Sequence, residues 1–300
     1  MTCYFPLEAW RVEGQAKLAF SRPRRGELER LQVPCGQCIG CRLERSRQWA
    51  IRCIHEAQLH SKNCFITLTY SPAHVPADGS LKLRHFQLFM KRLRKRFGDG
   101  IRFFHCGEYG EKYGRPHYHA CLFNFDFPDK TLFCVDNGYK LYRSNALEEL
   151  WPFGFATIGD VTFESAAYVA RYILKKVTGD SAEAHYTRWD SDGVVTAVLA
   201  PEYVTMSRRP GIASGWFEKF GSDVYPGDFV VIRGRKMRPP RYYDNLLKLS
   251  SPLDFEEVHF ERWKNAQLHL DNQSEERLNV RHEVQKQVYM LNKLLVSQMR

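Results

Sequence analysis

An α+β fold, with helices flanking a ferredoxin-like antiparallel sheet, follows from three features of the sequence. From Asn63 onward, strand-like and helix-like segments succeed one another in the order β-α-β-β-α-β. The strand-like segments are β-branched and aromatic and end at turn residues. The helix-like segments repeat apolar residues at intervals of three and four.

Taken in order, Arg42 to His60 reads as a basic helix with Leu43, Ala50, Ile54 and Ala57 as its apolar stripe. Asn63 to Tyr70 (NCFITLTY) is a strand closed by Ser71 and Pro72. Leu83 to Phe97 is a helix, because Phe86, Phe89, Met90, Leu93 and Phe97 fall at helical spacing. Ile101 to Cys106 is a strand. A turn with Gly107, Gly110 and Gly114 leads into the next, Pro116 to Asn124. Asn145 to Leu150 is a short helix, Phe155 to Phe163 a strand and Glu164 to Val177 a helix. This pattern predicts a sheet with its helices on one face. Many unrelated activities share it, so it argues fold and not function.

A chain of 300 residues that is 44% hydrophobic and 14% aromatic can bury a core and is not a disordered segment. Lys and Arg number 44 against 34 Asp and Glu, a net charge of +10, with an isoelectric point near 9.1. Such an excess suits an anionic partner, most commonly nucleic acid. Met1 to Gly14 contains no apolar targeting core, and no run reaches the ~18 apolar residues of a membrane span, so no membrane association is expected. Nine cysteines without a secretion signal point to a reducing compartment, with cysteines as thiols or metal ligands.

His117 and His119 flank Tyr118 on a predicted strand, so the two imidazoles share one face and Tyr118 the other. Two imidazoles on a rigid strand can grip a divalent cation that acts as a Lewis acid on a phosphodiester oxygen. Glu108, at the end of the preceding strand, is the candidate third ligand if a hairpin returns it to the histidines. Carboxylate favours Mg²⁺ and imidazole favours softer ions, so Mg²⁺ and Mn²⁺ both remain open. Read without further context, an H-x-H pair is equally two polar residues on a solvated strand.

Tyr168 and Tyr172, at i and i+4 in AAYVARYILKK, share one helical face, with Ala166, Val169, Ile173 and Val177 on another. A phenol near pKa ~10 is a poor nucleophile at neutral pH, and the adjacent cations Lys175 and Lys176 would favour its phenolate. Cys35, Cys38 and Cys41 form C-x2-C-x2-C, but Arg45 and Ser46 stand where an iron–sulfur run would continue. A structural zinc needs a fourth ligand: Cys3 is the first candidate, Cys53 and His55 the others. Buried free thiols are the alternative. Two basic stretches could follow a phosphate backbone: Lys82 to Arg96, with seven Lys/Arg and no acid, and RGRKMRPPRYY (Arg233 to Tyr243), with tyrosines for base stacking.

FITLTY, the His117-Tyr118-His119 triplet and the Tyr168/Tyr172 pair occur in the order found in HUH-family rolling-circle replication initiators, which they resemble. CGQCIGCRLERSRQWAIRC, CGEYGEKYGRPHYHACLF, AAYVARYILKK and RPPRYYD resemble more closely the replication initiation proteins of small single-stranded-DNA phages, of the gokushovirus type among the microviruses, to about residue 245. The resemblance implies a metal-dependent nickase. One tyrosine attacks the scissile phosphate, leaving a 5′-phosphotyrosine and a priming 3′-hydroxyl, and the second tyrosine later releases and joins the strand. It implies this role for Tyr168 and Tyr172, with Glu108 the less secure ligand because the family's third ligand varies. It also implies single-stranded DNA at a replication origin as partner and the host bacterial cytoplasm as location. The chain has no G-x-x-x-x-G-K-[ST] loop, so a host helicase and polymerase would serve it. The expected organisation is a cysteine segment with basic helix over 1–60, an HUH endonuclease core over 61–180, a mixed extension over 181–253 and a helical accessory tail over 254–300. Two competing readings are a non-catalytic single-stranded nucleic-acid-binding module and a related HUH transposase or relaxase.

Overall fold

Alternation of side chains along β3 (Asn63–Tyr70) decides which way the sheet faces. Cys64, Ile66, Leu68 and Tyr70 are buried on one side, while Asn63, Phe65, Thr67 and Thr69 are half-buried on the other. The computed structural model describes residues 3–15, 17–24, 28–110, 114–136, 138–171, 176–177 and 179–298. By their contacts they form two compact units, Met1–Arg45 with Glu256–Arg300, and Ser46–Phe255.

In the smaller unit β1 (Leu7–Val12) pairs antiparallel with β2 (Leu28–Val33). Helix α1 (Ile39–Gln58) starts in this unit, three residues before the predicted start, and from Ser46 on belongs to the larger one.

The larger unit is built on β3, α2 (Leu83–Phe97), β4 (Arg102–Tyr109), β5 (Pro116–Phe123), β6 (Thr131–Asp136), β7 (Tyr139–Arg143), α3 (Asn145–Leu150), β8 (Gly154–Gly159) and α4 (Phe163–Arg171). There follow α5 (Ser181–Tyr186), β9 (Thr187–Trp189), β10 (Val195–Val198), β11 (Tyr203–Met206), α6 (Ser214–Val224), β12 (Val230–Ile232), β13 (Arg235–Met237) and α7 (Arg241–Ser250). Helix α8 (Pro252–Gln267) crosses the unit boundary, and α9 (Glu275–Gln298) ends the described chain.

Seven strands make one antiparallel sheet in the order β11-β4-β5-β3-β8-β7-β6. Its centre, β4-β5-β3-β8, is the interleaved split-βαβ arrangement that the element order predicts. The protein is therefore α+β, with a large antiparallel sheet flanked by helices. The β6–β7 hairpin is an addition that the element order does not predict.

One face of the sheet meets α2 and α3. Phe86, Phe89, Met90 and Leu93 of α2 and Leu147 and Leu150 of α3 pack on Ile66, Leu68, Tyr118 and Leu122. Gly98 ends α2 with φ 95°, its N–H returning to the Arg94 carbonyl. Contrary to the one-faced expectation, helices also cover the other side. Trp49 of α1 stacks on Phe104 of β4 with ring centroids 4.7 Å apart, and α4 packs on β4 and β5. The physical reason lies in β5, where Ala120 and Leu122 face one layer and Cys121 and Phe123 the other, all fully buried.

Helix α1 also departs from its predicted stripe. Its buried side is Ala50, Ile51, Cys53, His55 and Glu56, while Ile54 and Ala57 are only half-buried. The polar members are tolerated because each is partnered. His55 Nδ1 lies 2.7 Å from the Tyr243 hydroxyl, and Glu56 pairs with Arg102 and accepts the Ala213 N–H at 2.5 Å. Burial holds His55 neutral by lowering its pKa to about 3. Among the described residues no helix is long and apolar enough to cross a membrane.

Candidate active site

Register carries the histidines to their partners. On β5, His117 lies opposite Thr69 of β3 and Glu108 of β4, and His119 lies opposite Thr67 and Cys106. Residues directly opposite across antiparallel strands share a face, so all of these point to the same side of the sheet. Tyr118 points the other way, fully buried, its hydroxyl 2.9 Å from that of Tyr70.

Each imidazole is oriented from the β3 side. Thr69 Oγ1 is 2.9 Å from His117 Nδ1, and Thr67 Oγ1 is 3.0 Å from His119 Nδ1. Both bonds occupy Nδ1 and so define the tautomer and ring direction, the usual means of presenting Nε2 to a ligand. His119 Nε2 meets Glu108 Oε1 at 2.8 Å, with both side chains buried. Phe65 stacks on the His119 ring, centroids 5.8 Å apart. His117 is half-buried, its centroid 6.5 Å from that of His119. Its Nε2 lies so close to Gly110 that a Cβ there would stand 2.7 Å away, so residue 110 must be glycine for this ring position. The donor set, two oriented imidazoles and a carboxylate, fits a divalent cation in kind, with His119 and Glu108 in contact and His117 further along the strand.

Helix α4 brings the tyrosine. Thr162 and Ser165 cap its start reciprocally: Ser165 N–H donates to Thr162 Oγ1 at 3.1 Å and Thr162 N–H to Ser165 Oγ at 2.8 Å. This box starts the helix at Phe163 and explains why β8 stops at Gly159 instead of running on to Phe163. Ala166, Val169 and Ala170 bury against the sheet. Tyr168 is left half-buried with its ring edge-on to His119, centroids 5.1 Å apart. Other phenols of this core are poor nucleophiles: burial and the neighbouring Tyr118 push Tyr70 up, and burial pushes Tyr118 up. Tyr172 and Lys175 lie outside the described residues. Lys176 is exposed and, with Val177, no longer helical, so the predicted helix to Val177 is too long.

The cysteines converge in the smaller unit. The sulfurs of Cys3, Cys35, Cys38 and Cys41 all lie within 4.8 Å of one another. The other two candidates are elsewhere: Cys53 is fully buried in the larger unit, and His55 is bonded to Tyr243.

The basic stretches serve the fold more than expected. Helix α2 lies on the opposite face of the sheet from the histidines. Arg92 donates to the Leu150 carbonyl, Arg94 to that of Ile101, and Arg96 pairs with Glu149. In RGRKMRPPRYY, Arg233 pairs with Glu164, Tyr243 is fully buried, and the Tyr242 ring receives Arg52 at 3.8 Å, so these tyrosines are not open stacking platforms. A cleft of about 400 Å³ lined by Arg94, Arg102, Arg208 and Arg209 is a cationic surface that composition alone does not single out.

A histidine pair on a central strand, joined by a carboxylate and faced by a helical tyrosine, marks the protein as one whose chemistry resides on the sheet. Residues 63–177, which span all of these groups, match the family model of the replication-associated protein ORF2 type. The chain is 36% identical to replication-associated protein VP4 of Bdellovibrio phage phiMH2K, over 75% of this chain and 70% of that one. It is 32% identical to replication-associated protein ORF2 of Spiroplasma virus 4, over 83% and 81%. With replication-associated protein ORF4 of Chlamydia phage 1 it shares 31% identity, over 72% and 53%. No solved structure matches. The chain belongs to the family of replication-associated proteins of microvirus- and gokushovirus-type phages.

Proposed function

We propose that this phage replication protein starts rolling-circle synthesis by nicking single-stranded DNA at the origin, through an HUH-type site built on β4, β5 and α4. The observation that carries the reading is the Tyr168 ring edge-on to His119, itself bonded to Glu108. Mg²⁺ or Mn²⁺ held by His117, His119 and Glu108 would polarise a phosphodiester oxygen. The chain's own part is positional. Thr67 and Thr69 orient the two rings, and α4 sets the phenol beside them. The tyrosine oxygen attacks the scissile phosphorus, its proton leaves to solvent, and the bond to the 3′ oxygen breaks. The products are a 5′-phosphotyrosine and a free 3′-hydroxyl.

Tyr172, Lys175 and Lys176 enter this proposal on sequence grounds, Tyr172 as the second nucleophile and the lysines as cations favouring phenolate. Electrostatic holding of the strand falls to dispersed cations, Arg208 and Arg209 among them. A host helicase and polymerase in the bacterial cytoplasm complete the reaction. The test is incubation of the protein with circular single-stranded DNA and Mn²⁺. A covalent adduct mapping by mass spectrometry to Tyr168 or Tyr172 is expected, and binding without any adduct would favour a non-catalytic binding module instead.

A further inference from the structure

We propose that Cys3, Cys35, Cys38 and Cys41 bind one zinc ion as four thiolates, and that this ion is the centre of the smaller unit. The inference is independent of the nicking reading. Tetrahedral zinc with Zn–S near ~2.3 Å places its sulfurs about 3.8 Å apart. The four sulfurs here already lie within 4.8 Å of one another, and none is in a disulfide. A polynuclear iron–sulfur cluster needs more room, because iron and sulfide lie between its cysteines.

Backbone N–H groups point at these sulfurs. Cys35 N–H donates to Cys3 Sγ at 3.2 Å, Cys38 N–H to Cys35 Sγ at 3.3 Å, and Tyr4 N–H to Cys38 Sγ at 3.4 Å. Such bonds favour the charged thiolate over the thiol, and thiols packed merely as small apolar groups have no use for them. Each thiol gives up its proton to solvent as the ion binds. Four protein ligands leave no open position, so the ion is structural and not catalytic.

The unit needs such a centre. Its core consists of these cysteines with Tyr4, Ile39 and Leu278, and beyond it Ala9 and Val12 are among the few buried apolar side chains. That is too little apolar burial for a piece of this size to hold itself together. Leu278 belongs to α9 and packs on the cysteines, so the ion also fastens the amino-terminal segment to the carboxy-terminal helix.

The experiment uses the full chain, purified without chelator, with metal content and X-ray absorption measured together. About one zinc per chain with only sulfur neighbours is expected, retained when His117 and His119 are both replaced by alanine. Cobalt exchanged into the wild-type chain should give the intense charge-transfer absorption of a tetrahedral thiolate centre, which requires no variant to fold. Cys3→Ser and Cys35→Ser should each lose most of the metal. Three outcomes would overturn the proposal: no tightly held metal, a zinc with nitrogen neighbours that survives both serine variants, or iron with inorganic sulfide.

Discussion

Two groups of metal-type donors stand in this protein, and they are gathered differently. His117, His119 and Glu108 lie on two neighbouring strands, are nitrogen and oxygen donors, and only His119 and Glu108 touch. The four cysteines come from residue 3 and from residues 35–41, are all sulfur, and close to within 4.8 Å of one another. Among the described residues they are the one group of three or more such donors this compact. The contrast follows from the two tasks proposed. A site that only holds an ion gains from enclosing it, whereas a site that must admit a phosphodiester gains from a rigid frame that remains incomplete until substrate arrives.

The largest effect expected from this contrast concerns the nucleophile. With Tyr168 and Tyr172 both changed to phenylalanine, covalent adduct should vanish from denaturing gels. Either single variant should still cleave but fail to complete the cleave-and-join cycle. Wild-type cleavage by the double variant would remove the tyrosines from the chemistry. His119→Ala should slow cleavage by roughly a hundredfold to a thousandfold, the several kcal/mol a Lewis acid supplies, with DNA affinity nearly unchanged. A matching loss of affinity would instead mean that the histidines hold DNA.

A smaller effect is expected one layer out. Thr67→Val removes the hydroxyl at His119 Nδ1 and should weaken Mn²⁺ affinity about 10- to 100-fold, with Thr67→Ser restoring it. Titration of Mn²⁺ against cleavage rate separates this from a folding defect, since excess metal should rescue the valine variant. The smallest effect tests the separation of the two groups. Truncation after Ser251 removes α9 and its Leu278, so it should leave the nicking rate within about twofold while zinc becomes extractable by a mild chelator. Loss of nicking by this truncated, still-folded protein would show that the tail serves the chemistry.

Much of the frame is legible in the sequence because it depends on local period. Alternation along PHYHACLF puts both histidines on one face and Tyr118 on the other, and helical spacing places the apolar side of α2. What escapes depends on pairing between distant segments. Thr67 and Thr69 are ordinary strand threonines until the register sets them opposite His119 and His117. Gly110 looks like any turn glycine until the His117 ring is placed against it. The second layer of helices does have a local signal: a strand apolar on both faces, as Ala120-Cys121-Leu122-Phe123 is, must be covered twice. Tyr243 reads as a base-stacking residue in RPPRYY, and only the approach of α1, with His55, makes it core.

The period of two in β5 also acts as proofreading. A slip of one residue against β3 and β4 would turn His117 and His119 into the layer packed on α2 and push Tyr118 out of it. Two imidazoles would then sit among Phe86, Phe89 and Leu68 without their threonine partners, at a cost of about 1–3 kcal/mol for each polar group left unpaired. The Tyr118–Tyr70 hydroxyl contact would be lost with them. The misaligned sheet is thus penalised by the same residues that the aligned sheet uses for chemistry, so a folded population carrying a scrambled site should be scarce. Refolding yield and recovered specific activity should accordingly rise together.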